Sequence, residues 1–102
     1  MTDKTDKKAP EYQKKIPTVS AKFAAIVTTT LCGYGNITAI NACRAVNWAL
    51  AVCKNDRISI DWEGCIAYLQ ELGVSGRDFM NEVTQKKDKG KYEHIWDLLG
   101  IS

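Results

Sequence analysis

A chain of 102 residues, 45% of them apolar and 25% charged, has material for one globular domain and too little for two. Its net charge of +2 falls short of a strongly basic nucleic-acid protein. No run approaches the ~18 apolar residues of a membrane helix, and the lysine-rich N-terminus has no apolar signal-like stretch. A cytoplasmic protein without membrane association is therefore expected, with its four cysteines reduced.

The charge is uneven. Residues 1–15 hold five lysines against three carboxylates, and residues 86–91 hold four lysines against one. Residues 16–85 balance at five cations against six anions. Residues 1–16 show no apolar period and are expected to form a disordered lysine-rich arm ahead of a single helical domain over 17–102.

Helical spacing of Phe23, Ile26, Val27 and Leu31 predicts a first helix over 20–31, with Ser20 as N-cap and Gly33 as the left-handed stop. Asn36 is read as the cap of a longer helix over 37–54. Its apolar stripe would be Ile37, Ile40, Cys43, Val46, Leu50 and Cys53, with Asn41, Arg44, Asn47 and Trp48 away from it. A third helix over 61–72 starts at Asp61 and presents Trp62, Cys65, Ile66, Leu69 and Leu72. The alternation in 57–62 also permits a strand, in a hairpin folding at Glu63-Gly64. A fourth helix over 76–85 would bury Phe79, Met80 and Val83. A fifth, over 92–99, presents Ile95, Trp96 and Leu99 and ends at Gly100.

The stretch LQELGVSGRDFMNEV at 69–83 resembles the centre of a helix-turn-helix, within an element spanning 66–87. Gly73 ends one helix, Val74 and Ser75 form the turn, and Leu72, Val74, Phe79 and Val83 stand where packing contacts belong. Leu69 is larger than the residue usual at its position, and Glu82 stands where an apolar residue is common. Ser75, Arg77, Asn81, Gln85 and Lys86 would remain outside, beside Lys87, Lys89 and Lys91. Arg and Asn can read base edges with paired hydrogen bonds, while Lys and Ser suit phosphates. The ordinary alternative is a helix–loop–helix corner with a solvated basic loop.

A second resemblance runs through Lys14-Lys15-Ile16-Pro17, the Ala-rich helix after it, and ITAINACRAVNWALAV. This half of the chain looks like the first half of Alba-type chromatin proteins. The resemblance implies an α+β two-layer fold, with Lys14, Lys15 and Arg44 helping to bind nucleic acid. The chain lacks the family's glycine before Arg44, and helical sequence replaces the later strand pair.

No CxxC pair or Cys/His cluster occurs, so neither a metal nor a cofactor is expected. Cys43, Cys53 and Cys65 read as small apolar core residues. His94 is the sole histidine and has no evident catalytic partner. Gly33-Tyr34-Gly35 lacks the further glycine and the lysine of a phosphate loop. No enzyme is expected. Trp62 and Trp96 fit a core, whereas Trp48 lies beside Asn41 and Arg44, where an exposed indole would mark a partner surface.

The sequence thus predicts a mainly α domain of four to five short helices. Its first expected function is that of a small non-enzymatic regulatory protein binding nucleic acid, DNA ahead of RNA, in a form compatible with a homodimer. The alternative is a protein-interaction module, adaptor or inhibitor, using the surface around Trp48.

Overall fold

The computed structural model describes residues 20–56, 60–85 and 90–100. Five helices follow in order: α1 (Ala21–Tyr34), α2 (Ala39–Val52), α3 (Trp62–Glu71), α4 (Gly76–Val83) and α5 (Glu93–Leu99). The mainly α expectation is correct, and no strand occurs among the described residues. The α+β two-layer alternative is therefore overturned there: the described part of the segment resembling Alba proteins, from residue 20 on, holds α1 and α2. The expected arm over 1–16 lies outside the described residues.

The caps explain where the helices begin. Ser20 Oγ accepts the Phe23 N–H at 3.1 Å, and Ser75 Oγ accepts that of Asp78 at 3.3 Å. The Asp61 carboxylate accepts the Gly64 N–H at 2.5 Å, starting α3 through the residues of the alternative hairpin. Glu63 in that first turn suits the positive end of the helix. Two predicted boundaries move. Helix α1 continues through Gly33, and the left-handed residue is Gly35, at φ +86°. Helix α2 starts later than predicted, because Thr38 Oγ1 accepts the Asn41 N–H at 3.1 Å while Asn36 stays outside.

Helix α2 organises the packing. It contacts α1, α4 and α5, while α3 packs on α4. Its buried face consists of Ala42, Cys43, Ala45, Val46 and Ala49, followed by Cys53. Short side chains let α1 approach closely, and Phe23, Val27 and Leu31 of α1 are fully buried. The predicted stripe is correct at Cys43, Val46 and Cys53, with Leu50 half-buried. It is wrong at Ile37 and Ile40, which are exposed. Ile37 lies ahead of the Thr38 cap, outside the helix, and with the three alanines facing inward Ile40 falls on the exposed side.

Polar links fasten the outer helices. The Tyr68 hydroxyl of α3 bonds the Thr28 hydroxyl and donates to the Ala24 carbonyl of α1 at 3.1 Å. Asn47 of α2 donates from Nδ2 to the Lys91 carbonyl and accepts the His94 N–H at Oδ1, both at 3.0 Å. Helix α5 has no side-chain cap at Tyr92, so Asn47 supplies its N-terminal acceptor from another helix. Tyr92, Ile95 and Trp96 are then buried against the core.

Replacing Asn47 removes both links to α5. Asn47→Ala should lower unfolding stability by about 1–2 kcal/mol, read as a reduced urea midpoint with an unchanged m-value. A midpoint equal to that of the parent would refute this role for Asn47.

Candidate interaction surfaces

The corner between α3 and α4 forms where the sequence places it. Helix α3 ends with the Val74 N–H on the Leu69 carbonyl at 2.9 Å and the Gly73 N–H on the Gln70 carbonyl at 3.0 Å. This pair of bonds is a Schellman stop, and Gly73 at φ +102° permits it without a Cβ clash. Leu69 and Val74 are buried together, as this motif favours. Ser75 then caps α4 at once. Phe79 and Val83 are buried and Met80 is half-buried, with the Trp62 and Phe79 ring centroids 5.5 Å apart.

The predicted nucleic-acid residues are only partly brought together. Ser75, Arg77 and Asn81 are exposed, and Gln85 is half-buried. Arg77 and Asn81 stand one turn apart on the same edge of α4. The neighbouring edge carries Asp78 and Glu82. These two carboxylates line a depression of about 320 Å3 with Asn81 and with Thr38, Ala39 and Ile40 at the start of α2. They complement the positive end of α2, and their charge opposes a phosphate brought to that side. Lys91 is exposed, with its Nζ 5.8 Å from the Tyr92 ring centroid. Lys86, Lys87 and Lys89 lie outside the described residues, as do Lys14 and Lys15.

A second surface covers the outer side of α2 and its approach. Among the described residues, the exposed large apolar side chains are Tyr34 (42%), Ile37 (49%), Ile40 (43%), Trp48 (57%) and Val52 (41%). These five fall within one stretch of 19 residues: Tyr34 ends α1, Ile37 lies between the helices, and Ile40, Trp48 and Val52 are on α2. Ile40, Arg44, Trp48 and Val52 follow each other at intervals of four residues and therefore share one stripe. Arg44 is exposed, and its Nη1 donates to Asn41 Oδ1 at 3.3 Å. Asn41 is half-buried, and its Nδ2 donates to the Asn36 carbonyl at 3.0 Å. Trp48 also walls a shallow depression of about 330 Å3 with Ala25, Ile26, Thr29 and Thr30 of α1.

Sequence reasoning found Asn41, Arg44 and Trp48 but missed Ile37, Ile40 and Val52. The signal was available in the four-residue spacing of 40, 44, 48 and 52. Assigning both isoleucines to the core obscured it. Asn47, expected only to be off the core stripe, proves to be a structural cap.

Among the described residues, the remaining reactive groups are dispersed. No cluster of potential metal ligands exists among the described residues, and none of their helices is long and apolar enough to cross a membrane. His94 is half-buried on α5, held through its backbone by Asn47. Cys43, Cys53 and Cys65 are buried and Cys32 is exposed. Burial, with the Asp61 charge nearby, pushes the Cys65 thiol up to about 12. No family model, curated protein or solved structure matches this chain.

Two outcomes follow from the thiols. Of the four, Cys32 should react rapidly with an aromatic disulfide and the three buried thiols only on opening. Cys32→Ser should remove the fast phase, and a surviving fast phase would contradict this burial pattern. Cys65 also makes stability depend on alkaline pH. Between its ordinary value of 9.0 and about 12, the unfolded chain releases a proton that the folded chain keeps. Stability should fall as pH rises through that window. Urea titrations at several pH values should show a shallower fall in Cys65→Ala, and an unchanged slope would refute the linkage.

Proposed function

We propose that this protein is a small, non-enzymatic protein-interaction module that binds its partner through the outer face of α2, with Trp48 as the central anchor. The observation that carries this reading is the exposed indole of Trp48 in a stripe with Ile40 and Val52. Scattered exposed apolar residues need no explanation, but contiguous ones mark interaction sites. Tryptophan and arginine are also among the residue types enriched where interfaces gain their binding energy. Asn41 and Arg44 supply polar groups at the edge of the same patch.

A photoreactive benzoylphenylalanine placed at Trp48 should give a discrete protein adduct when irradiated in the cells that make the protein. The same group at Glu71, exposed on α3, serves as the control and should give none. Absence of any adduct at position 48 would overturn the reading.

A second reading, binding of DNA by the α3–α4 corner, is favoured by the exposure of Ser75, Arg77 and Asn81 directly after a tight, well-capped turn. Helix α4 would enter the groove, and the lysines of 86–91 would add phosphate contacts. This reading has to offset Asp78 and Glu82 on the adjoining edge. It predicts duplex binding that weakens steeply with salt and is lost in Arg77→Ala/Lys86→Ala but retained in Trp48→Ala. A duplex titration from low to physiological salt checks this. No binding at low salt would eliminate it.

A further inference from the structure

We infer that the partner on the outer face of α2 is a second copy of this chain, docked by a two-fold antiparallel pairing of the α2 helices. The inference rests on the α2-face reading above and names its occupant. Its basis is a symmetry in the exposed stripe. Ile40, Arg44, Trp48 and Val52 are spaced evenly along one side of α2. Each step of four residues advances about 40° round the helix, so the stripe winds across the exposed face. In an antiparallel pair centred at the level of Val46 and crossed at about 50°, so that these ridges of the two copies run parallel, Ile40 lies beside Val52 of the second copy and Arg44 beside its Trp48. The same two contacts recur on the other side of the axis. Apolar residues therefore face apolar residues at both ends, and a cation faces an aromatic ring twice at the centre. A patch that complements itself in this way is what a two-fold interface requires.

The central pair has suitable chemistry. A guanidinium over an indole face gains electrostatic attraction without desolvating a carboxylate. Among the described residues, the one hydrogen bond from the Arg44 guanidinium goes to neutral Asn41. Two copies would not bring like charges together there, because Arg44 is displaced from the two-fold axis and lies opposite Trp48. Asn41 and Ala51, both half-buried at the stripe's edge, stand at matching levels in the same register.

Size gives a further constraint. The stripe spans twelve residue steps, or about 18 Å of helix. One such helix face is narrower than the ~800 Å2 per partner of an ordinary stable interface. The shallow depression that Trp48 shares with Ala25 and Thr29 of α1 widens it on one flank, and exposed Ile37 lies just ahead of α2 at one end. The result is a modest, reversible dimer whose population changes with concentration.

Sedimentation equilibrium of the full chain from about 1 µM to about 1 mM tests this, with Trp48→Ala and Arg44→Glu run beside the parent. Circular dichroism checks that each variant is folded. Both residues are exposed, so helicity should be unchanged. The expected result is a reversible monomer–dimer equilibrium in the parent that is weakened by about tenfold or more in either variant. A dimer of parental strength in both variants would overturn the inference, since it would use another surface. A parent that is monomeric throughout would also overturn it. The adduct at position 48 then separates the two levels. A monomer whose only adduct is with a different protein overturns the second copy and leaves the α2-face reading. A monomer with no adduct overturns both.

Discussion

The structure depends on the packing of the other helices round the alanine-rich buried side of α2. Ala42, Ala45 and Ala49 are fully buried there. They contribute little apolar surface themselves, but their short side chains permit close packing in the core that also buries Phe23, Val27 and Leu31 of α1. Dispersion contacts fall off steeply with distance, so a thin helix face can support a dense core. The remaining helices build on this pair. Helices α4 and α5 pack on α2, while α3 is tied to α4 by packing and to α1 through Tyr68.

The same phase of α2 creates the candidate site. With the alanines turned inward, the opposite side must carry Ile40, Arg44, Trp48 and Val52. Fold and surface are thus two consequences of one rotation. The α3–α4 corner is built by different means, with Gly73 and Ser75 controlling the backbone and Phe79 holding the pair together. Its outward edges carry mixed charge, whereas the outward side of α2 is mainly apolar.

Much of the fold was legible because it rests on local chemistry. Ser20, Asp61 and Ser75 announce helix starts, and all three cap as expected. Gly73 and Gly100 announce stops, and both adopt positive φ. What escaped reading depends on residues far apart in the chain. The inward phase of α2 escapes the sequence at Ile40 because hydrophobicity ranks isoleucine above alanine, while close helix packing selects the smaller residue; Ile37 was misplaced because the helix starts after it. Thr38 was overlooked as a cap because Asn36 is an equally good local candidate. The role of Asn47 comes from contact with Lys91 and His94, more than forty positions away. Trp48 was singled out from its place off the core stripe. Its neighbours in the patch followed only once the helix phase was known.

The most direct test of the account is the stability of a chain whose α2 exterior has been made polar. Ile40→Gln, Trp48→Gln and Val52→Gln can be combined and unfolded in urea under dilute, monomeric conditions. Glutamine is a good helix former and its stem retains some apolar cover. If the outer face serves association and the alanine face serves folding, the triple variant should lose less than about 1 kcal/mol. Ala45→Leu on the buried side should lose about 1–3 kcal/mol through overpacking. A triple variant destabilised by several kcal/mol, beside a tolerant Ala45→Leu, would show that the exterior of α2 belongs to the core and would contradict the account.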